Sequence, residues 1–233
     1  MWPPPDSGDG PQAVGPDLTE ETEIVAIGGS VTAASLFRAY ASGVFPMDVA
    51  AVLDDGTETE ILAWFAPDPR AVLRSPGMHV SRSLRRSMRA FAVTFDRAFE
   101  DVVAGCADPN RPHGWITADY ERAYLELYRQ GHAHSVEVWQ AGTLVGGVLG
   151  VQIGGLICAD SMFSHATDAS KAALATLSAR VFGARDGRRR LIDAQWLTDH
   201  LASLGFVEVE RSDYEAALPA LVTAPPLLGR STT

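Results

Sequence analysis

The chain is poor in several things, and each shortage closes an option. Only two cysteines, Cys106 and Cys158, occur in 233 residues. That is too few for a disulfide framework, and no Cys/His spacing suggests zinc, so no metal is expected. No apolar run approaches the roughly 18 residues of a membrane-spanning helix, and no membrane partner is expected. The N-terminus, MWPPPDSGDGPQ, lacks the basic start and the apolar core of a signal peptide, so the expected location is cytoplasmic. Residues 1–20 are rich in Pro, Gly and Asp with little periodicity, and read as a disordered acidic tail. There is no internal repeat. Lysine is nearly absent, with Lys171 alone beside eighteen arginines. What remains is an ordinary globular composition, 46% hydrophobic and 21% charged, long enough for one large domain or two small ones.

The net charge of −10 speaks against a polyanionic partner until its distribution is read. Residues 1–23 hold six acids and no base. Residues 70–89 hold Arg70, Arg74, Arg82, Arg85, Arg86 and Arg89 and no acid, and Arg185, Arg188, Arg189 and Arg190 form a second cluster. Local patches, rather than the total, steer a polyanion. Ser81 is a good N-cap for a helix through Ala90, with Leu84 and Met88 facing inward and the arginines outward. That face is either a solvated surface or a phosphate-binding one.

The chain is organised around residues 131–164. Ser135–Trp139 alternates as a strand, Ala141-Gly142-Thr143 is a turn, Val145–Val151 is a second run, Gly154-Gly155 a second turn, and Leu156–Cys158 a third run. Short Val- and Ile-rich runs with Gly between them predict an antiparallel meander. Its last strand ends in Asp160-Ser161. Upstream, a short strand at 24–29, a helix from Val31 closed by Gly43, loops over VFPM and VLDDGTETE, and strands at 61–65 and 71–73 are expected. Strand 91–95 and helices at 99–106 and 118–130 follow. Downstream come a helix from Ala169, a strand at 190–195, a short helix capped by Thr198, a strand at 206–209 and a helix capped by Ser212. On that strand Asp193 and Gln195 are two apart, which predicts a shared face.

A meander followed by helix, strand, helix, strand is similar to the order of GNAT-type acyltransferases. The segment DSMFSHATDASK, where those enzymes hold the CoA pyrophosphate on a Gly-rich loop, has no glycine, which weakens a CoA reading.

The motifs WFAPDPRAVL (64–73), HVSRSLRR (79–86), GWIT (114–117), GHAHSVEVW (131–139), LVGG (144–147), CADSMFS (158–164), ASKAAL (169–174), LIDAQ (191–195) and LASLGF (201–206) occur together in this order. On them the chain resembles the bacterial leucyl/phenylalanyl-tRNA–protein transferase family from about residue 24 to 217. The resemblance implies an α+β (α/β) fold. A GNAT-like acyltransferase domain (79–222) with a central, mainly antiparallel sheet would follow a small N-terminal α+β domain (21–78), with 1–20 and 223–233 as mobile tails. It implies an enzyme, expected as a monomer without cofactor. The enzyme would move Leu, Phe or Met from aminoacyl-tRNA to the α-amino group of proteins beginning with Arg or Lys, in the N-degron pathway.

By resemblance, Asp193 and Gln195 are the catalytic pair, Asp193 orienting Gln195 and Gln195 contacting the attacking amine. Asp160, beside Ser161 and Met162, stands where CGES is usual and would hold the donor's amino group. Val148, Ile157, Met162, Leu174, Leu177, Val181 and Ile192 would line the aminoacyl pocket. Several look smaller than the family's residues, which predicts a roomier pocket favouring Phe. Trp64 and Trp115 would lie near the tRNA's 3′ adenosine. Arg70, Arg74, Arg82, Arg85, Arg86 and Arg89 would meet its backbone. Asp48 replaces part of an aromatic stretch usual after FP. The alternatives are a CoA-dependent N-acetyltransferase and a non-catalytic tRNA-binding adaptor.

Overall fold

The structure is a computed structural model that describes residues 10–14, 23–52, 55–111, 114–183 and 189–229. It is a mixed α+β fold with two sheets, mainly antiparallel. Strands β1 (Gln12–Ala13), β2 (Ile24–Ile27), β3 (Phe45–Val52) and β4 (Glu58–Phe65) form the smaller sheet in the order β1-β2-β4-β3. The first pairing, Gln12 with Ile27 and Ala13 with Ala26, uses two residues of the segment expected to be disordered. Residues 1–9 and 15–20 of that tail lie outside the described residues, as do Arg185 and Arg188 of the second arginine cluster.

Helix α1 (Ala33–Ala41) starts where Thr32 and Ser35 exchange side-chain-to-backbone hydrogen bonds, a capping box. It stops before Gly43, whose φ of +78° a side chain would resist. The next stretch departs from the expected loops. Phe45–Val52 and Glu58–Phe65 pair over eight positions. Pro46 and polar Asp48 hid β3, yet β3 is an edge strand, where a missing N–H and exposed polar side chains are tolerated.

The larger sheet contains β5 (Arg70–Leu73), β6 (Ala92–Phe95), β7 (Ala133–Gln140), β8 (Thr143–Ile153), β9 (Leu156–Ser164), β10 (Leu191–Gln195) and β11 (Val207–Val209), in the order β11-β5-β10-β9-β8-β7-β6. Strand β5 therefore belongs with the larger sheet, although the sequence placed it before the boundary at residue 78. The β7–β8–β9 meander forms as expected. Ala141 and Gly142 both have positive φ, as a two-residue hairpin turn requires. Among the described strands only β9 and β10 run parallel, and helix α5 (Ala169–Gly183) supplies the crossover that a parallel pair needs.

Alternation along the strands feeds two cores. Leu149, Val151 and Cys158 pack with α1, with α3 (Phe99–Ala107), with α4 (Ala118–Gln130) and with Phe45 and Phe65 of the smaller sheet. Val148, Ile157 and Ile192 pack with α5 on the other face. The first core thus joins both sheets. Helix α6 (Asp199–Ser203) is capped by Thr198 as expected. Helix α7 (Arg211–Val222) has Glu210 rather than Ser212 at its cap position.

The segment after α7, expected to be mobile, is docked as far as Leu228. Leu228 is buried, and the Gln152 carboxamide accepts from the N–H of Leu227 and of Leu228 and donates to the Leu228 carbonyl. Among the described residues no helix is long and apolar enough to cross a membrane.

Candidate active site

The ends of β9 and β10 meet α1, α4 and β3 around a cavity of about 680 Å³. Two irregularities in the sheet shape its floor. Opposite Leu149 and Gly150, β9 carries one extra residue, Asp160, between Ala159 and Ser161. Such a bulge re-aims a side chain. It requires Gly150, because a Cβ there would collide with the Cys158 carbonyl oxygen. On β10, Ala194 is the extra residue between Asp193 and Gln195 opposite Val72 and Ala71.

The second bulge changes the relation expected of Asp193 and Gln195. The period-2 rule fails across it, so they meet through the backbone instead. The Asp193 carboxylate accepts the Gln195 N–H at 2.9 Å. Gln195 sits at φ +62°, and the Trp196 N–H bonds back to the Ala194 carbonyl at 2.8 Å. A non-glycine residue there carries strain of order 1–3 kcal/mol, held only by over-determined surroundings. Those surroundings are visible. Asp193 is fully buried and also accepts from Arg70 Nε (2.9 Å), Arg70 Nη2 (2.6 Å) and Tyr214 (2.7 Å). Trp196 packs on Phe45 and Phe65 and donates to Glu23 at 2.8 Å. Gln195 is thereby aimed at Asp160, to which its Nε2 donates at 3.2 Å.

Tyr124 also donates to Asp160, at 3.1 Å, and the Tyr40 hydroxyl is within hydrogen-bonding reach. Burial nevertheless holds the Asp160 carboxyl well above the ordinary range. The two tyrosine hydroxyls pull it down, Asp193 pushes it up, and Arg70 opposes that push. Burial and the Asp160 charge raise Tyr40 and Tyr124 well above the ordinary phenol value. A carboxylate left short of positive charge in a desolvated site is suited to receiving an ammonium group. Arg111 lines the cavity but is occupied, donating to the carbonyls of Cys106 and Met162.

The residues singled out from the sequence divide as follows. Asp160, Ser161, Met162, Leu174, Trp115 and Gln195 line the cavity, and Asp193 lies directly behind it. Val148, Ile157 and Leu177 do not. They enclose a separate cavity of about 10 Å³ that Leu228 helps to fill. Val181 and Ile192 are in the core beside them. The space left at these positions is small, and Leu228 of the C-terminal segment is part of its wall. The apolar end of the large cavity is instead formed by Met162, Leu174, Ala194, Leu201 and Phe206.

Two further expectations are corrected. Trp64 cannot stack on a nucleotide from its place in the core, where it is fully buried and its indole N–H donates to the Gly28 carbonyl at 2.9 Å. Arg70 cannot meet a phosphate backbone, since it is 1% exposed and spends its guanidinium on Asp193 and the Gly43 carbonyl. Arg74, Arg82, Arg85, Arg86 and Arg89 are exposed. The last four lie on helix α2 (Arg82–Ser87) and the 3-10 turn that continues it. Sequence reading missed Tyr40 and Tyr124, whose only signal was a tyrosine on the buried face of each helix.

A cavity floored by a desolvated carboxylate, a phenol and a clamped carboxamide, beside an apolar end, has the features of an enzyme's active site. That class becomes a family on comparison with known proteins. A family model described as "Leucyl/phenylalanyl-tRNA protein transferase" matches residues 72–219. A protein of that name from Rhizorhabdus wittichii is 49% identical over 187 residues, covering 78% of this chain and 72% of that protein. One from Klebsiella pneumoniae strain 342 is 43% identical over 199 residues (84% and 80%). One from Yersinia pestis strain Pestoides F is 41% identical over 210 residues (89% and 84%). The chain belongs to the leucyl/phenylalanyl-tRNA–protein transferase family, and it is an aminoacyltransferase.

Proposed function

We propose that the protein transfers Leu or Phe, and also Met, from aminoacyl-tRNA to the α-amino group of proteins that begin with Arg or Lys. It would act as a cytoplasmic monomer whose larger sheet is a GNAT-like acyltransferase domain, and it would mark its acceptors for the N-degron pathway. The observation that carries this reading is the Gln195–Asp160 contact on the cavity floor, fixed from behind by Asp193 and Arg70.

In the reaction, the acceptor amine attacks the ester carbonyl, the bond to the ribose oxygen breaks, and an amide forms. One proton leaves the amine and one reaches the ribose hydroxyl. The ester is already activated, so orientation supplies much of the acceleration. Asp160 holds the donor's ammonium group. The Gln195 amide oxygen accepts from the attacking amine, because its NH₂ is engaged with Asp160. A neutral amide is a poor base, so Gln195 positions the amine without taking its proton. The donor side chain occupies the end formed by Met162, Leu174, Ala194, Leu201 and Phe206. Trp115 offers a base-stacking face, and Arg74, Arg82, Arg85, Arg86 and Arg89 face the tRNA backbone.

Single-turnover transfer from labelled Leu-tRNA and Phe-tRNA to a peptide beginning with Arg tests this. Wild type should transfer, and Gln195→Ala should lose at least tenfold in rate with tRNA binding retained. Wild-type tRNA binding without transfer would leave only the adaptor reading.

A further inference from the structure

The mouth of the cavity is acidic in a way the transfer chemistry does not require. Asp48 of β3 and Glu60 of β4 line the same cavity as Asp160 and Gln195. Among the described residues the one cation lining it, Arg111, is already occupied. In the β3–β4 register Asp48 is opposite Leu62 and Ala50 opposite Glu60, so the two carboxylates are diagonal neighbours on one face. Asp119, at the start of α4, adds its charge from the side. Burial, then Glu60, then Asp119 raise the Asp48 carboxyl above its ordinary value.

A second observation points to a missing ligand. The Tyr120 hydroxyl is fully buried and has no hydrogen-bond partner among the described residues. Tyr120 packs edge-on against Trp115 of the cavity wall, with ring centroids 5.0 Å apart, and it is close enough to Asp48 to feel that charge. A buried hydroxyl without a partner is destabilising, and here it leaves unused polar capacity directly beside Asp48.

Position along the strand sets what fits. Phe45 touches Trp196, the neighbour of Gln195, at a centroid distance of 4.8 Å. Asp48 is three strand residues further on, about 10 Å along β3. An extended lysine or arginine side chain, met by the carboxylate's own arm, covers that span.

We infer that Asp48, Glu60 and Tyr120 form the subsite that reads the cationic side chain of the acceptor's first residue. This rests on the transfer reading above, which needs the acceptor amine at Gln195. Asp48 and Glu60 receive the ammonium or guanidinium, and the Tyr120 hydroxyl, buried behind the cavity wall and near enough to feel the Asp48 charge, backs them. Two carboxylates without a neighbouring free cation among the described residues suit a charged side chain better than the neutral base edge and negative backbone of a tRNA end.

The test uses two labelled peptides differing only at residue one, arginine against its neutral isostere citrulline. Binding to the full-length protein is measured by fluorescence anisotropy, and transfer separately. Wild type should bind the arginine peptide about tenfold or more tightly than the citrulline peptide. Asp48→Asn combined with Glu60→Gln should bring the ratio near one. Tyr120→Phe should lower it while leaving the thermal midpoint unchanged or higher, since it removes an unsatisfied group. An equal ratio in wild type, or a ratio the double variant does not move, overturns the inference. So does a double variant that changes only the KM for aminoacyl-tRNA, which would assign the rim to the terminal nucleotide. Preferential binding of the arginine peptide without any transfer would instead leave the subsite standing and remove the transfer reading.

Discussion

At the scale of single residues, the site is maintained at some expense to stability. Asp160 is desolvated, and its carboxyl is held well above the ordinary range. A carboxyl raised in the folded state above its unfolded value stabilises the fold at low pH and loses that contribution as pH rises through the folded value. Asp160→Asn should therefore raise the thermal midpoint at pH 8, with a smaller gain at pH 5, while transfer falls. Melting curves of both proteins at the two pH values check the sign, and a gain that shrinks with rising pH would contradict it.

Behind it, Arg70 and Asp193 are paired and fully enclosed. Removing one partner strands the other charge. Arg70→Met should cost about 3–5 kcal/mol in urea unfolding, far beyond the effect of replacing an exposed arginine. Arg70 reads in the sequence as one of six bases on a basic stretch. Nothing local separates it from Arg74, because its acid lies 123 positions away.

At the scale of elements, the arginine helix and the β3–β4 hairpin carry opposite charges, and the hairpin's Asp48 and Glu60 line the cavity. Helix α2 and its 3-10 continuation present Arg82, Arg85, Arg86 and Arg89 to solvent, with Leu84 buried beneath. This much was legible, since one buried leucine and a Ser81 cap fix which way the helix lies. Replacing the four arginines by alanine should weaken tRNA binding. It should also flatten the log–log salt dependence, by about 0.7–0.9 for each phosphate that is no longer neutralised. Filter binding across a salt series measures this, and an unchanged slope would remove the helix from the interface. The hairpin was not legible. Asp48 and Pro46 interrupt the alternation that would have marked β3, and its partner β4 was recognised only at its apolar end, 61–65.

At the scale of the whole molecule, the first and last parts of the chain both serve the middle. Glu23 anchors Trp196, and Leu228 packs in the second core and lines the small cavity beside Leu177. Leu228→Ala should cost about 2–5 kcal/mol in urea unfolding, whereas a mobile tail would show almost no change.

By resemblance the sequence singled out Asp160, Asp193 and Gln195, and by itself it determined the meander, its two glycine turns and most of the helices. Those depend on short-range periodicity and on turn chemistry that any neighbour can satisfy. The tertiary structure decided which side chains are available for chemistry. It buried Trp64 and Arg70, bulged β9 and β10 so that Asp160 meets Gln195, and moved the cavity's apolar end to Leu201 and Phe206. Burial and hydrogen-bond partnership are set by residues far apart in the chain, and no local pattern encodes them.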